Sequence, residues 1–550
     1  MCGIWAFINN KTELIKTELI KTEHYYNNFM KLKHRGPDFS NFLNLGHILI
    51  GFHRLAIMDP SFTSNQPYIL SDGDRTIIFI CNGEIYNYQN LIIDHELNIN
   101  TKSDCLTIPK LYLKYDYNTF VKLFNSNIIG EFAFILFEFN SNNLTDVVVG
   151  RDTIGIRPLY YNPNITNNNL IFSSEIKGCD IFDGDILEFP PGTIKKYNFT
   201  DIIEEITFDF KTIYDSKILY LENSLLENKL LENKLLENIY KSVYNSIAVR
   251  LDSDQPVAFL LSGGVDSSLV VAIANKILNK KIKTFCCGMT YGSDLKYAKM
   301  VADYIDSDHT EVIFTAEEGL SIIDDIIYTT ETWDTTTIRA SVGQYIISKY
   351  IKENTNAKVV FVGEGPDEIC SSYLFNWYAP SPNDIHSTAV EYVNKINYFD
   401  VKRCDRCISR WGLEGRVPLL DPLFINSYWK IPGEWRDPKY KGIEKWWLRK
   451  AFENDNILPS DVLWRKKEAF SDGVSSKEKS WFQIIQDHIY EKYNMREEEY
   501  YMSKFIEFFG NHRVNIIPHY WQPKWNKEGN VITTYVDPSA RTLEIYKKNI

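Results

Sequence analysis

The sequence predicts two domains, a β-rich one up to about residue 210 and an α/β one with a parallel sheet from about 241 onward, joined by a linker over 211–240. Three observations carry this. At 550 residues the chain exceeds what one core usually supports. Before residue 210, apolar runs such as Ile77–Ile80, Glu131–Phe137 and Asp146–Val149 are separated by turn signals, the mark of a sheet. Beyond the linker, strand candidates at Val257–Leu261, Ile282–Cys287 and Val359–Val362 alternate with helices. In one of these, Asp294–Ile305, the residues Leu295, Ala298, Val301, Ala302 and Ile305 share a face. That alternation builds a parallel α/β sheet.

In chain order, an opening strand is followed by the pentapeptide Lys11-Thr12-Glu13-Leu14-Ile15, repeated through Glu23. A period of five precesses around a helix and switches faces in a strand, so the segment reads as a surface insertion. The repeat Leu225-Leu226-Glu227-Asn228-Lys229, which runs to Asn238, has helix-favouring residues but no constant apolar stripe, and reads as a linker extension. The loops 262–268 and 363–368 follow strands, where a doubly wound sheet binds its ligands.

Composition narrows the classes. A net charge of −12 and a pI near 5.5 argue against a nucleic-acid surface. No apolar run reaches the roughly 18 residues of a membrane span, and the start carries no signal-peptide pattern, so a cytoplasmic protein is expected. Nine cysteines without a regular framework fit a reducing compartment. Cys404 and Cys407 have no second Cys or His pair nearby to complete a zinc site, and Cys286-Cys287 reads as core.

The chemistry centres on Phe259-Leu260-Leu261-Ser262-Gly263-Gly264-Val265-Asp266-Ser267-Ser268, a strand that breaks into small residues before an apolar helix. Two glycines let backbone N–H groups converge on an oxyanion, hydroxyls add donors, and the helix start adds its positive end. The lysine of a G-x-x-x-x-G-K-[ST] loop is missing, which disfavours a phosphate-transferring kinase or motor; Asp266 can instead hold magnesium against phosphates.

This loop resembles the pyrophosphate loop of the ATP pyrophosphatases, which adenylate a carboxylate or carbonyl. Met1-Cys2-Gly3-Ile4-Trp5-Ala6-Phe7 resembles the start of the class II glutamine amidotransferases. Together they resemble the glutamine-hydrolysing asparagine synthetases, with likeness from Cys2 to about Val474. The resemblance implies an αββα sandwich with an N-terminal nucleophile, then a doubly wound α/β ATP-pyrophosphatase domain with added helices. It implies ATP, aspartate and glutamine as substrates, Mg2+ as cofactor and a homodimer.

A cysteine directly after an initiator Met can become the chain's N-terminus and use its own α-amine, with a pKa of about 7.7, as base. In the family that thiolate attacks the glutamine amide, releasing ammonia. Arg54, in the run Arg54-Leu55-Ala56-Ile57-Met58 of the glutamine pocket, matches the arginine that holds the substrate carboxylate. Asn82 and Gly83 match the oxyanion hole, and Glu84 and Asp104 the anchors of the substrate amine. His34-Arg35-Gly36-Pro37-Asp38 resembles a turn near this pocket.

For the synthetase reaction, Leu261, Ser262, Gly263, Gly264, Asp266, Ser267, Cys287, Gly288, Val362 and Gly363 fall on ATP or pyrophosphate positions, with Asp266 and Asp367 for the metal. Glu364 matches the acid assigned proton removal from attacking ammonia, and Lys467 the lysine on the phosphates. Arg339 and Asp400 also match, while Glu414 and Arg416 are expected to pair structurally. Three departures stand out: Ser371-Ser372 replace Gly-Gly, Pro366 replaces Ser, and Val362 replaces Ser. If the glycines need φ > 0, the serines strain or narrow the site. Two other readings remain: an amidotransferase or β-lactam-synthetase-like enzyme for another carboxylate, which an intact Cys2 disfavours, and a non-catalytic homologue.

Overall fold

The computed structural model describes the chain except residues 10–18, 126, 164–168, 183, 200–203, 211–224, 469–472, 476–478 and 534–550. Most of the first pentapeptide repeat and the first half of the expected linker therefore lie outside the described residues.

Two six-stranded antiparallel sheets form the first domain. One has Gly3–Asn9 at its centre, between Ile48–Arg54 and Asn169–Ser173; the other pairs Arg75–Ile85 with Gly130–Asn140 and then Asn143–Arg151. Successive side chains point to opposite faces, and here both faces are covered. Ile4, Ala6 and Ile8 meet Ile78, Ile80, Ile135 and Phe137 between the sheets. On the outer faces, Trp5 and Phe7 lie against Tyr25 of the helix Leu19–Met30, and Phe132 and Phe134 against Phe124 at the end of Tyr117–Leu123. The layers are helix, sheet, sheet, helix. The last residues of the first repeat lie in the helix Leu19–Met30, in which Tyr25, Tyr26 and Phe29, beyond the repeat, pack on neighbouring rings.

The second domain carries a five-stranded parallel sheet in the order Asp308–Ile313, Lys283–Gly288, Val257–Leu260, Val359–Phe361, Glu414–Arg416. The expected strands shift by a residue at their ends. Chain direction across the sheet reverses between Val257–Leu260 and Val359–Phe361, so the loops after them share one crevice at the strands' carboxyl ends.

The second repeat is part of one helix, Leu225–Arg250. Leu230 and Leu231 are exposed, and only from Leu235 does a buried stripe run through Ile239, Val243 and Ile247. The described leucines early in the repeat thus face solvent, and the buried stripe begins within its last copy. Beyond Val474 stand two helices that the sequence reading left unassigned, Trp481–Tyr493 and Glu497–Phe509. Among the described residues no helix is long and apolar enough to cross a membrane.

Candidate active sites

The first site is a cleft of about 30 Å3 at the edge between the two antiparallel sheets. Cys2, Arg54, Leu55, Ile57, Met58, Gly83, Glu84 and Asp104 line it, as expected from the sequence. Ala56 is buried beside it, and its amide donates to Asp38 Oδ2 at 2.8 Å, which ties the expected turn at 34–38 to the cleft wall. Asn82 is fully buried in the strand Arg75–Ile85, and its Oδ1 accepts from the Cys2 amide at 2.8 Å. The Asn82 side-chain NH2 has no hydrogen-bond partner, a buried donor left available. Gly83 is required by packing: a Cβ there would stand 2.4 Å from Glu131 O on the paired strand.

Electrostatics divide the pocket. Burial pushes the Cys2 thiol up to about 11. Burial raises Glu84 well above the usual carboxylate range, with the Glu414 and Asp104 carboxylates adding to the rise. Asp104 is pushed up to about 6, burial outweighing the Ile85 amide that donates to it at 2.6 Å. Arg54 directs its fork at the loop 58–65, donating to Ser61 O at 2.8 Å, Asn65 Oδ1 at 2.6 Å, Met58 O at 3.2 Å and Asp59 O.

The sequence reading did not place Ser64, Gln66, Ser103 or Cys105 in this cleft, because each sits in an unremarkable polar run. Nor did it place Glu414, whose strand belongs to the other domain's sheet. Glu414 does pair with Arg416, at 2.9 Å, but Arg416 also reaches Glu84 at 3.5 Å, and Glu414 Oε2 meets the Met1 ammonium at 3.3 Å. The expected structural pair is thus a bridge between domains.

The second site is a cavity of about 260 Å3 in the crevice of the parallel sheet. Leu261, Ser262, Gly264, Asp266, Ser267, Cys287, Val362, Gly363, Glu364, Asp367 and Lys467 line it, with Arg339 and Asp400. Gly263 and Gly288 do not. Gly263 has φ +74° and lies where a Cβ would be 2.5 Å from Ala298 N; at Gly288 a Cβ would touch Leu295. Their absence of side chain serves helix packing under the loop. Ser267 Oγ holds the loop closed, accepting from Ser262 N at 3.1 Å.

Positive charge gathers over the loop. Lys445 bridges Asp266 and Asp367, and Lys467 pairs with the other oxygen of Asp367. Burial would raise the Asp367 carboxyl, yet the two ammonium groups hold it well below the usual range. Asp266 is shifted upward, its burial outweighing Lys445. Lys445 was missed by the sequence reading: nothing in Gly442-Ile443-Glu444-Lys445 marks it. Its φ of +57° is the kind of strained backbone that clusters at functional sites.

Glu364 is raised by burial, against Arg403 Nη2 at 3.1 Å. Arg403 also meets Asp400 at 3.0 Å. Arg339 is clasped by Glu497, Nε to Oε1 at 2.8 Å, so the region after Val474 reaches the cavity wall, where Trp521 also stands. At the first expected departure, Ser371 does have positive φ, at +53°, and Ser372 does not.

Magnesium fits this arrangement. Asp266 Oδ1 is buried with no hydrogen-bond partner, and a hard cation takes carboxylate oxygens. Among the described residues no three His, Cys, Asp or Glu side chains could cage a metal alone.

All nine cysteines are free thiols, including Cys404 and Cys407 on the buried helix Asp400–Ser409.

Residues 1–216 match the glutamine amidotransferase domain family, and residues 238–387 and 379–533 match the asparagine synthase family. The chain is 36% identical to asparagine synthetase [glutamine-hydrolyzing] of Rattus norvegicus, covering 100% of this chain and 99% of the relative. It is 35% identical to the proteins of the same name from Homo sapiens and Gallus gallus, each with 100% of both chains covered.

Proposed function

The chain belongs to the glutamine-hydrolysing asparagine synthetase family and makes asparagine from aspartate, glutamine and ATP; from that premise we propose how its two sites divide the work. Division at about residue 210 gives a glutaminase domain, 1–210, and a synthetase domain, 241–550, joined through 211–240.

In the first site, removal of Met1 turns the Cys2 amide nitrogen into a free amine already held by Asn82 Oδ1. That amine takes the thiol proton, and Cys2 Sγ attacks the glutamine side-chain amide. The buried Asn82 NH2 and the Gly83 N–H receive the oxyanion. Arg54 meets the substrate carboxylate in the cleft formed with Leu55, Ala56, Ile57 and Met58, and Glu84 and Asp104 meet its ammonium. Ammonia leaves, and water clears the thioester to glutamate.

In the second site, ATP lies on Leu261–Ser267, with Cys287, Gly288, Val362 and Gly363 beneath. Aspartate oxygen attacks the α-phosphorus and pyrophosphate departs toward Lys467 and Lys445. Asp266 and Asp367 would hold magnesium, which would supply charge neutralisation there. Ammonia then attacks the aspartyl-adenylate carbonyl, Glu364 takes its proton, and AMP leaves. The raised Glu364 carboxyl suits a group that must hold a proton after the attack.

The observation that carries the two-site reading is the strand Glu414–Arg416. One end lines the Cys2 cleft, and the strand pairs with Val359–Phe361, which leads directly into Glu364. Glu364 lies three residues past Phe361, the partner of Arg416, so the path proposed for ammonia runs along this strand pair. Nine free thiols support a cytoplasmic, reducing setting. A homodimer is the expected assembly.

The test is Cys2→Ala assayed for asparagine and pyrophosphate with each nitrogen donor. Loss of at least about a thousandfold with glutamine, and near wild-type rates with ammonium, are the expected outcome. Glutamine-dependent synthesis surviving in Cys2→Ala would refute it.

A further inference from the structure

The short helix Pro366–Ile369, which carries Asp367, ends in a reversal built from serines. Ser371 lies in the left-handed region, its amide donating to Glu368 O at 3.3 Å, and the Ser372 amide donates to Asp367 O at 3.0 Å. This 5→2 and 6→1 pair is the helix stop that usually carries glycine at its left-handed position. The reversal folds the next two side chains back over the turn. Ser372, fully buried, donates its hydroxyl to Asp367 Oδ1, and Tyr373 donates to Glu368 Oε1 at 2.5 Å.

Among the described residues, the remaining partners of the Asp367 carboxylate are Lys445 and Lys467. A lysine ammonium is a compact charge on a flexible four-carbon stem and fixes no carboxylate plane. Both lysines also face the cavity, where incoming phosphates compete for them. The serine hydroxyl sits on a backbone pinned by two hydrogen bonds and has no such competitor. Glycine at this position would offer none of this.

We propose that Ser372 is a positioning residue for the synthetase reaction: it holds the Asp367 carboxylate in the plane in which it receives magnesium pyrophosphate, while the two lysines turn to the phosphates. The role rests on the reading of Asp367 as a metal-side carboxylate given above. Ser371 is the backbone cost of the device, a non-glycine residue kept left-handed so that its neighbour reaches the carboxylate.

Calorimetric titration of magnesium pyrophosphate into the full chain tests this with wild type, Ser372→Ala and Ser372→Thr. The alanine variant should bind about tenfold more weakly, the effect of one hydrogen bond to a charged group, and the threonine variant within about twofold of wild type. Pyrophosphate titrated in chelator, which meets the lysines alone, should bind all three alike. Equal magnesium-pyrophosphate binding by wild type and Ser372→Ala would overturn the proposal and leave Asp367's role standing. An equal loss with and without magnesium would overturn it as a general defect of the turn. A wild type indifferent to magnesium would overturn both readings.

Discussion

Asp104 is the residue whose titration is most open to measurement. Its carboxyl is pushed up to about 6 by burial, and an amine anchor works only when ionised. As pH falls through 6, the free enzyme gains a proton there and loses its grip on the glutamine ammonium. The kcat/KM for glutamine hydrolysis should therefore fall below pH about 6, mainly through KM, and Asp104→Asn should show a raised KM with no such limb. A wild-type profile flat between pH 5 and 7 would contradict the assignment. The stability consequence has the opposite sign. Between the ordinary value near 3.9 and about 6 the folded state holds a proton that the unfolded state has released, so Asp104 withdraws stability as pH rises through that window.

Ser371 and Ser372 stand where glycines were expected, for different physical reasons: one pays a backbone cost, the other makes a hydrogen bond. Ser371→Gly should stabilise the fold by about 1 kcal/mol, measured by chemical denaturation, by relieving the left-handed serine. A destabilised variant would mean that the buried Ser371 hydroxyl, which reaches Ile385 O at 3.4 Å, matters more than the strain.

At the scale of elements, legibility followed periodicity and loop chemistry. The parallel strands and the loop Leu261–Ser268 were readable because apolar runs break into small residues at strand ends. The helix Leu225–Arg250 was less so, because Leu230 and Leu231 of its repeat face solvent and the buried stripe begins only at Leu235. The helices after Val474 escaped, as did Lys445, because their roles come from tertiary placement: Glu497 becomes meaningful only once it meets Arg339. The glycines of the phosphate loop were assigned to ligand contact, whereas Gly263 is held by the helix Ser293–Tyr304 beneath it. Gly263→Ala adds a Cβ 2.5 Å from Ala298 N at φ +74°. It should cost ATP binding at least about tenfold, read by equilibrium binding, while glutamine hydrolysis at the distant first site persists. Unchanged ATP affinity would show that the loop's shape does not depend on that glycine.

The molecule as a whole is joined by buried charge. Glu131 of the first domain, fully buried, accepts from Arg157 at 3.0 Å and from Arg250 of the long helix at 2.9 Å, and Arg250 reaches Asp421 at 2.8 Å. Arg35 clasps Asp405 at 2.8 and 3.0 Å, and the Ile176 and Lys177 amides both donate to Glu331 at 3.0 Å. None of these pairs was visible in sequence: apart from Glu131 and Arg157, 26 residues apart, their members lie more than 100 residues apart. Breaking one partner of a buried pair costs about 3–5 kcal/mol because the other charge stays behind. Glu131→Gln should therefore lower stability by that order and separate the unfolding of the two domains in calorimetry; a single unshifted transition would show that the interface does not depend on this carboxylate.

The path proposed for ammonia crosses this interface, and isotope transfer tests it most directly. Amide-15N glutamine is supplied with aspartate, ATP and an excess of unlabelled ammonium at low concentration relative to its saturation, and the label in asparagine is measured by mass spectrometry. If ammonia crosses beside Glu414–Arg416 to Glu364, asparagine should carry 15N close to the enrichment of the glutamine amide. Label diluted to the composition of the bulk ammonium pool would contradict the account, because the two sites would then be sharing nitrogen only through solvent.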